Sequence, residues 1–119
     1  MLYISDARRY FLYTPHTDMR KGYDGLCGLI REGMRKDPLS GDIFIFLNRR
    51  RNQVKLLLWD RDGFALYAKR LERGTYEVPS VNSEQGSILL SRCQLTLILK
   101  GIHLQSVRTR KRFGLNNNE

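Results

Sequence analysis

Five apolar residues in a row, Ile43-Phe44-Ile45-Phe46-Leu47, give the sequence its clearest structural feature. A run of that length without polar alternation predicts a strand that is central in a sheet and covered on both faces. Asn48-Arg49-Arg50-Arg51-Asn52 then reads as a hairpin loop, and Val54 to Asp60 as the returning partner strand. Asp60-Arg61-Asp62-Gly63 is a second turn, with Gly63 suited to a positive φ. Beyond it Phe64, Leu66 and Ala68 alternate with Ala65, Tyr67 and Lys69, which predicts a third antiparallel strand ended by Gly74. The aromatic stretch over 9–13 and the stretch 86–90 are further short strands. Residues 75–79 read as extended and 81–85 as loop.

Helical spacing occurs twice. Tyr23, Leu26, Cys27, Ile30 and Met34 form one apolar stripe, so a helix is expected over 20–35, capped by Thr17 or Asp18 after the break at Pro15. Gly22, Gly25 and Gly28 lie inside it at three-residue spacing, where each costs about 1 kcal/mol against alanine. That spacing predicts close approach of another backbone. Ser91-x-x-Gln94 matches a capping box and opens a helix over 92–100, with Leu95, Ile98 and Leu99 inward and Gly101 as its stop. The expected fold class is α+β: an antiparallel β-meander with one helix packed on a face and a short C-terminal helix. One compact domain is expected over 1–104, followed by a flexible basic tail over 105–119.

Charge changes this picture. Across 119 residues, 21 Lys+Arg against 12 Asp+Glu leave a net charge of +9. A surplus of that size repels itself and calls for an anionic partner, with nucleic acid first and an anionic membrane surface second. Arg outnumbers Lys, which favours bidentate grip on phosphate. No apolar run approaches the roughly 18 residues of a membrane span, and the N-terminus lacks a signal-peptide core, so a cytoplasmic protein is expected. Cys27 and Cys93 are not in a C-x-x-C pair and are expected to be buried free thiols. No cofactor motif is present.

Several ordered blocks resemble one family. Thr17-Asp18-Met19-Arg20-Lys21-Gly22-Tyr23-Asp24-Gly25-Leu26 is similar to the opening motif of the small second-frame proteins (TnpB) of insertion-sequence-66 elements. Asp37-Pro38-x-Ser40-Gly41, Asn48-Arg49-Arg50, Lys55-x-Leu-x-Trp59-Asp60-x-Asp62-Gly63 and Lys69-Arg70-Leu71-Glu72-Arg73-Gly74 follow in the same order. The likeness spans about Arg9 to Pro79, recurs weakly over 94–102 and is not carried past His103. It implies an accessory role in DNA transposition beside a separate, larger DDE transposase of the same element. It leaves the chemistry to be read from the residues.

Those residues suggest a non-catalytic DNA-binding protein, for element ends or for duplex in general. The candidate contacts are Arg49, Arg50 and Arg51 at the hairpin tip, Arg20 and Lys21 at the helix start, Lys55 on the returning strand, and Lys69, Arg70 and Arg73 on or near the third strand. Alternation puts Lys69 and Arg70 on opposite faces, so only part of the set can share a surface. Asn48 and Asn52 either contact bases or shape the turn. Asp18 or Asp24 either pairs with Arg20 or Lys21 or leaves them to an incoming phosphate. Trp59 and Tyr67 either stack on bases or belong to the core. Two other functions are open. Tyr10, Phe11 and Tyr13, if exposed beside a sheet edge, would suit an adaptor that docks on the transposase. Asp60 and Asp62, if joined by Asp24 and Glu72, would suit a metal-dependent nuclease.

Overall fold

The structure, a computed structural model, describes residues 8–78 and 86–100. The elements run β1 (Tyr10–Tyr13), α1 (Tyr23–Gly28), a π-helical turn (Leu29–Gly33), β2 (Ile43–Leu47), β3 (Gln53–Asp60), β4 (Gly63–Arg70), β5 (Ser87–Leu90) and α2 (Arg92–Lys100). One five-stranded sheet holds them in the order β4-β3-β2-β1-β5. The fold is α+β, as the patterning predicted. The segments expected over 79–85 and 105–119, and the helix stop at Gly101, lie outside the described residues.

The meander is β2-β3-β4, antiparallel throughout. β1 departs from it: Tyr10, Phe11 and Leu12 pair in parallel with Ile43, Phe44 and Ile45, and β5 runs antiparallel along the other side of β1. A parallel pair requires a crossover, and α1 with its π turn supplies it. β2 is buried over its whole length, because each face has its own cover. On one face Phe11, Phe44, Phe46 and Leu57 pack against Leu26, Cys27, Ile30 and Met34 of the crossover. On the other, Tyr10, Leu12, Ile43, Ile45, Val54, Leu56 and Leu90 pack against Tyr76 and against Leu95 and Ile98 of α2.

Several local expectations need correction. The first helix starts at Tyr23, after Gly22, with no side-chain cap. Thr17 and Asp18 do not cap it, and Tyr23, at its first turn, is 48% exposed. No foreign backbone approaches Gly22, Gly25 or Gly28. The close approach lies elsewhere. A Cβ on Gly33 would stand 2.9 Å from Tyr13 Cε1, and one on Gly86 would overlap the carbonyl oxygen of Gly33. Gly63 is not left-handed; Arg61 before it is, at φ 58°, with the Asp62 N–H donating to Asp60 O at 2.6 Å to close the turn. Cys27 is buried and burial pushes its thiol pKa up, but Cys93 is exposed on the first turn of α2. The capping box stands as expected: Gln94 Oε1 accepts from the Ser91 N–H at 2.9 Å, and Ser91 Oγ accepts from the Gln94 N–H at 3.1 Å.

Candidate nucleic-acid interface

The parallel pairing of β1 with β2 decides where the basic segments meet. Both strands deliver their C-terminal ends to one edge of the sheet, where β3 begins and β4 ends. The segment after β1, the hairpin after β2 and Arg70 at the end of β4 therefore converge. The Thr17 N–H donates to Leu47 O at 2.8 Å and pins the first segment beside the hairpin. Between them lies an open groove of about 710 Å³, lined by His16, Thr17, Asp18, Met19, Asn48, Arg49, Arg50, Asn52, Gln53 and Arg70. A smaller depression of about 150 Å³ continues it along β3 and β4 past Lys55, Ala68 and Lys69.

The hairpin is built by its asparagines. Asn48 Oδ1 accepts from the backbone N–H groups of Asn52 and Gln53, both at 3.0 Å, and Asn48 Nδ2 donates to Asn52 Oδ1 at 2.7 Å. These two side chains shape the turn. Arg51 completes it in the left-handed region at φ 58°, a position glycine usually fills in such a loop. The outer side is clamped as well: the Leu71 N–H donates to Asn52 O at 2.7 Å and the Tyr76 N–H to Arg51 O at 2.6 Å. Tyr76 is fully buried, and burial, with Tyr67 nearby, pushes its hydroxyl pKa up to about 12. A rigid loop thus holds three exposed arginines. Among the described residues none of the three has a carboxylate partner.

The other candidates divide. Arg20 is paired: its guanidinium holds the Asp18 carboxylate through bonds of 2.8 to 3.1 Å, and the Arg20 N–H donates to Asp18 Oδ1 at 2.9 Å. Those bonds lower the Asp18 pKa to about 2 from the ordinary 3.8. Because the folded value is the depressed one, the pair is intact above about pH 3.8 and is lost as pH falls through about 2. Carboxyl titration by NMR is expected to place the Asp18 midpoint near 2, and Arg20→Gln to raise it only part of the way back, because the backbone N–H of residue 20 and the Lys21 charge still favour the carboxylate.

Lys55 is occupied within the fold. Its Nζ donates to the carbonyl oxygens of Met19 and Lys21, at 2.7 and 2.8 Å, and so clips the 18–21 turn to the sheet. Charged hydrogen bonds of this kind contribute about 1.5–3 kcal/mol. Lys55→Met is expected to lower stability by roughly 1–2 kcal/mol, measured by urea unfolding, because the carbonyls regain water. Lys21 and Arg73 are exposed, but neither lines the groove. Arg70 lines it, in a loose exposed contact with Glu72 at 3.7 Å. Its strand partner is Gln53, whereas Lys69 pairs with Val54, is absent from the groove lining and borders only the smaller depression.

Two alternatives lose their footing. Tyr10 and Phe11 are 3% and 6% exposed, with Lys36 Nζ 4.1 Å from the Phe11 ring centre. β1 is interior to the sheet and Tyr13 is half-buried, so among the described residues these three rings do not form the exposed edge surface expected for an adaptor. Asp24, Asp60, Asp62 and Glu72 do not gather, since no three His, Cys, Asp or Glu converge among the described residues. Asp60 lies instead 4.0 Å from both Arg8 and Arg61. Trp59 packs edge-on against Phe64 at 5.1 Å, half-buried.

His16 and Gln53 are groove residues that the sequence reading does not name as contacts. Strand alternation extended back two positions from Lys55 and Leu57 would have placed Gln53 on the groove face.

Fold and groove define a small basic α+β protein whose unpaired arginines gather at the strand ends. The family model for the IS66 Orf2-like proteins matches residues 8–109, and the chain belongs to that family. Membership fits an accessory role in transposition, and the match runs past His103, where the sequence likeness was not followed. One relative from Sinorhizobium fredii (strain NBRC 101917 / NGR234), the uncharacterized protein y4hO, is 38% identical over 94 residues, 79% of this chain and 80% of the relative. Another from the same strain, the uncharacterized protein y4jC, is 31% identical over 104 residues, 87% of each chain. No solved structure matches the chain.

Proposed function

We propose that the protein is a non-catalytic accessory factor of insertion-sequence transposition that binds DNA at the groove edge and assists a separate DDE transposase in the bacterial cytoplasm. The observation that carries this reading is the grouping of Arg49 and Arg50 with Arg70 along the groove, with Arg51 exposed on the same hairpin. The net charge of +9 adds a long-range attraction for a polyanion. Family membership supplies the process. Membership in a transposition family favours nucleic acid over an anionic membrane surface as the partner of that charge. Arg20 and Lys55 act inside the fold in this reading; they order the segment that forms the groove's other wall.

Titration of element-end and unrelated duplexes across a salt series tests the proposal. Contact with about six phosphates gives a slope of log affinity against log salt near −5. Absence of binding at low salt, or a flat salt response, would refute it.

A further inference from the structure

We infer that the groove accepts an unpaired nucleotide, so that the DNA this protein prefers is single-stranded or carries an extruded base. The inference rests on the DNA-binding reading above and specifies which DNA. Cations at the rim would suffice for a duplex, which is a convex cylinder and reaches only the tips of Arg49, Arg50 and Arg70. The groove beneath them contains more than charge. Its about 710 Å³ falls within the ~300–1,000 Å³ of sites that take small ligands.

Gln53 is half-buried in the groove wall and its side-chain amide has no partner among the described residues. Thr17 is 3% exposed, lines the same groove, and its Oγ1 has no hydrogen-bond partner. A buried hydroxyl without a partner is costly, and because this oxygen is closed to solvent a bound polar edge removes that cost only once the segment shifts to open it. Met19, half-buried against the core, contributes apolar surface, and His16 an exposed ring.

Each part matches one part of a nucleotide. An amide makes two hydrogen bonds to a base edge, as Gln does with adenine N6 and N7. An imidazole or a thioether covers a base face once the base has left its stack. The three arginines meet the flanking phosphates. Duplex DNA hides base faces in the stack, which leaves the amide and the hydroxyl idle.

The test compares the full chain against a labelled single strand, the blunt duplex of the same sequence, and that duplex with one unpaired nucleotide, by fluorescence anisotropy at one salt concentration. The single strand and the bulged duplex are expected to bind about tenfold tighter than the blunt duplex, in keeping with the sizeable contribution of a stacked base. Gln53→Leu is expected to abolish that preference while changing blunt-duplex affinity less than about twofold, which also reports an intact fold. Should Gln53→Leu lose duplex binding too, Thr17→Val carries the same test, because removing an unpartnered hydroxyl leaves the core unharmed. Equal affinity for all three DNAs, or a preference that survives the substitution that keeps duplex binding, overturns the inference and leaves the DNA-binding reading standing. No binding to any of the three overturns both.

Discussion

Replacing Arg49, Arg50 and Arg51 together with glutamine is expected to halve the salt dependence of DNA binding, taking the log–log slope from near −5 to about −2.5. Each phosphate contact contributes about −0.9 to that slope, so three contacts account for roughly −2.7. The loss of affinity follows from the same number. Lines of different slope converge towards ~1 M salt, where counterion release no longer drives binding. At ~0.1 M they stand apart by about two and a half decades, a loss of several hundredfold. The triple variant keeps its fold, because the loop is held by Asn48, Asn52 and backbone bonds and by none of the arginine heads. An unchanged slope in a folded triple variant would place the contact surface elsewhere on the molecule.

Gly86→Ala is expected to be the most damaging single methyl group among the described glycines, lowering stability by roughly 2–4 kcal/mol. Two effects add. Gly86 sits at φ 74°, where an L side chain is strained, and a Cβ there would overlap the Gly33 carbonyl oxygen. The neighbouring atom is backbone, so no rotamer change relieves the overlap. Gly86 O also accepts from the Thr14 N–H at 3.0 Å, and any retreat of the chain weakens that bond. At about 4 °C per kcal/mol for a chain of this size, the melting temperature should fall by roughly 8–16 °C. Gly22→Ala is the control: space there is open and φ is negative, so the same methyl group is harmless.

Much of the fold was legible because apolar patterning is a local signal. The five-residue run announced β2 and its two-sided burial, and Ser91 with Gln94 announced the start of α2. The partner of β1 was not legible. Residues 10–13 look the same whether they pair parallel or antiparallel, and only the tertiary crossover decides. The consequence for the site is large. In a fully antiparallel meander the segment after β1 and the hairpin after β2 would leave opposite edges of the sheet, and no groove would form between them. Sequence reading named the arginine triplet and Arg70 as candidate contacts from residue type alone. It could not distinguish Arg20 and Lys55, which act internally, from cations left free. That distinction rests on where the Asp18 carboxylate and the Met19 and Lys21 carbonyls lie, which composition does not encode.

The glycines show the same limit. Spacing singled out Gly22, Gly25 and Gly28, whereas the crowded positions are Gly33 and Gly86, far apart in the chain and in no shared motif. Conversely, the left-handed turn positions at 51 and 61 hold arginine where turn chemistry favours glycine. A local preference is set aside at Arg51, in the loop proposed to meet phosphate, and functional sites are where propensity is most often overridden.

The position of β1 between β2 and β5 also orders events during synthesis. Tyr10 pairs with Leu90, so the outer flank of the first strand waits for a segment made some eighty residues later. Until then it presents unsatisfied amides and carbonyls to any passing chain, the hazard of every late-closing contact. The groove is spared that delay. Every residue lining it lies between His16 and Arg70, so all of them have left the ribosome before the last strand arrives to seal the sheet.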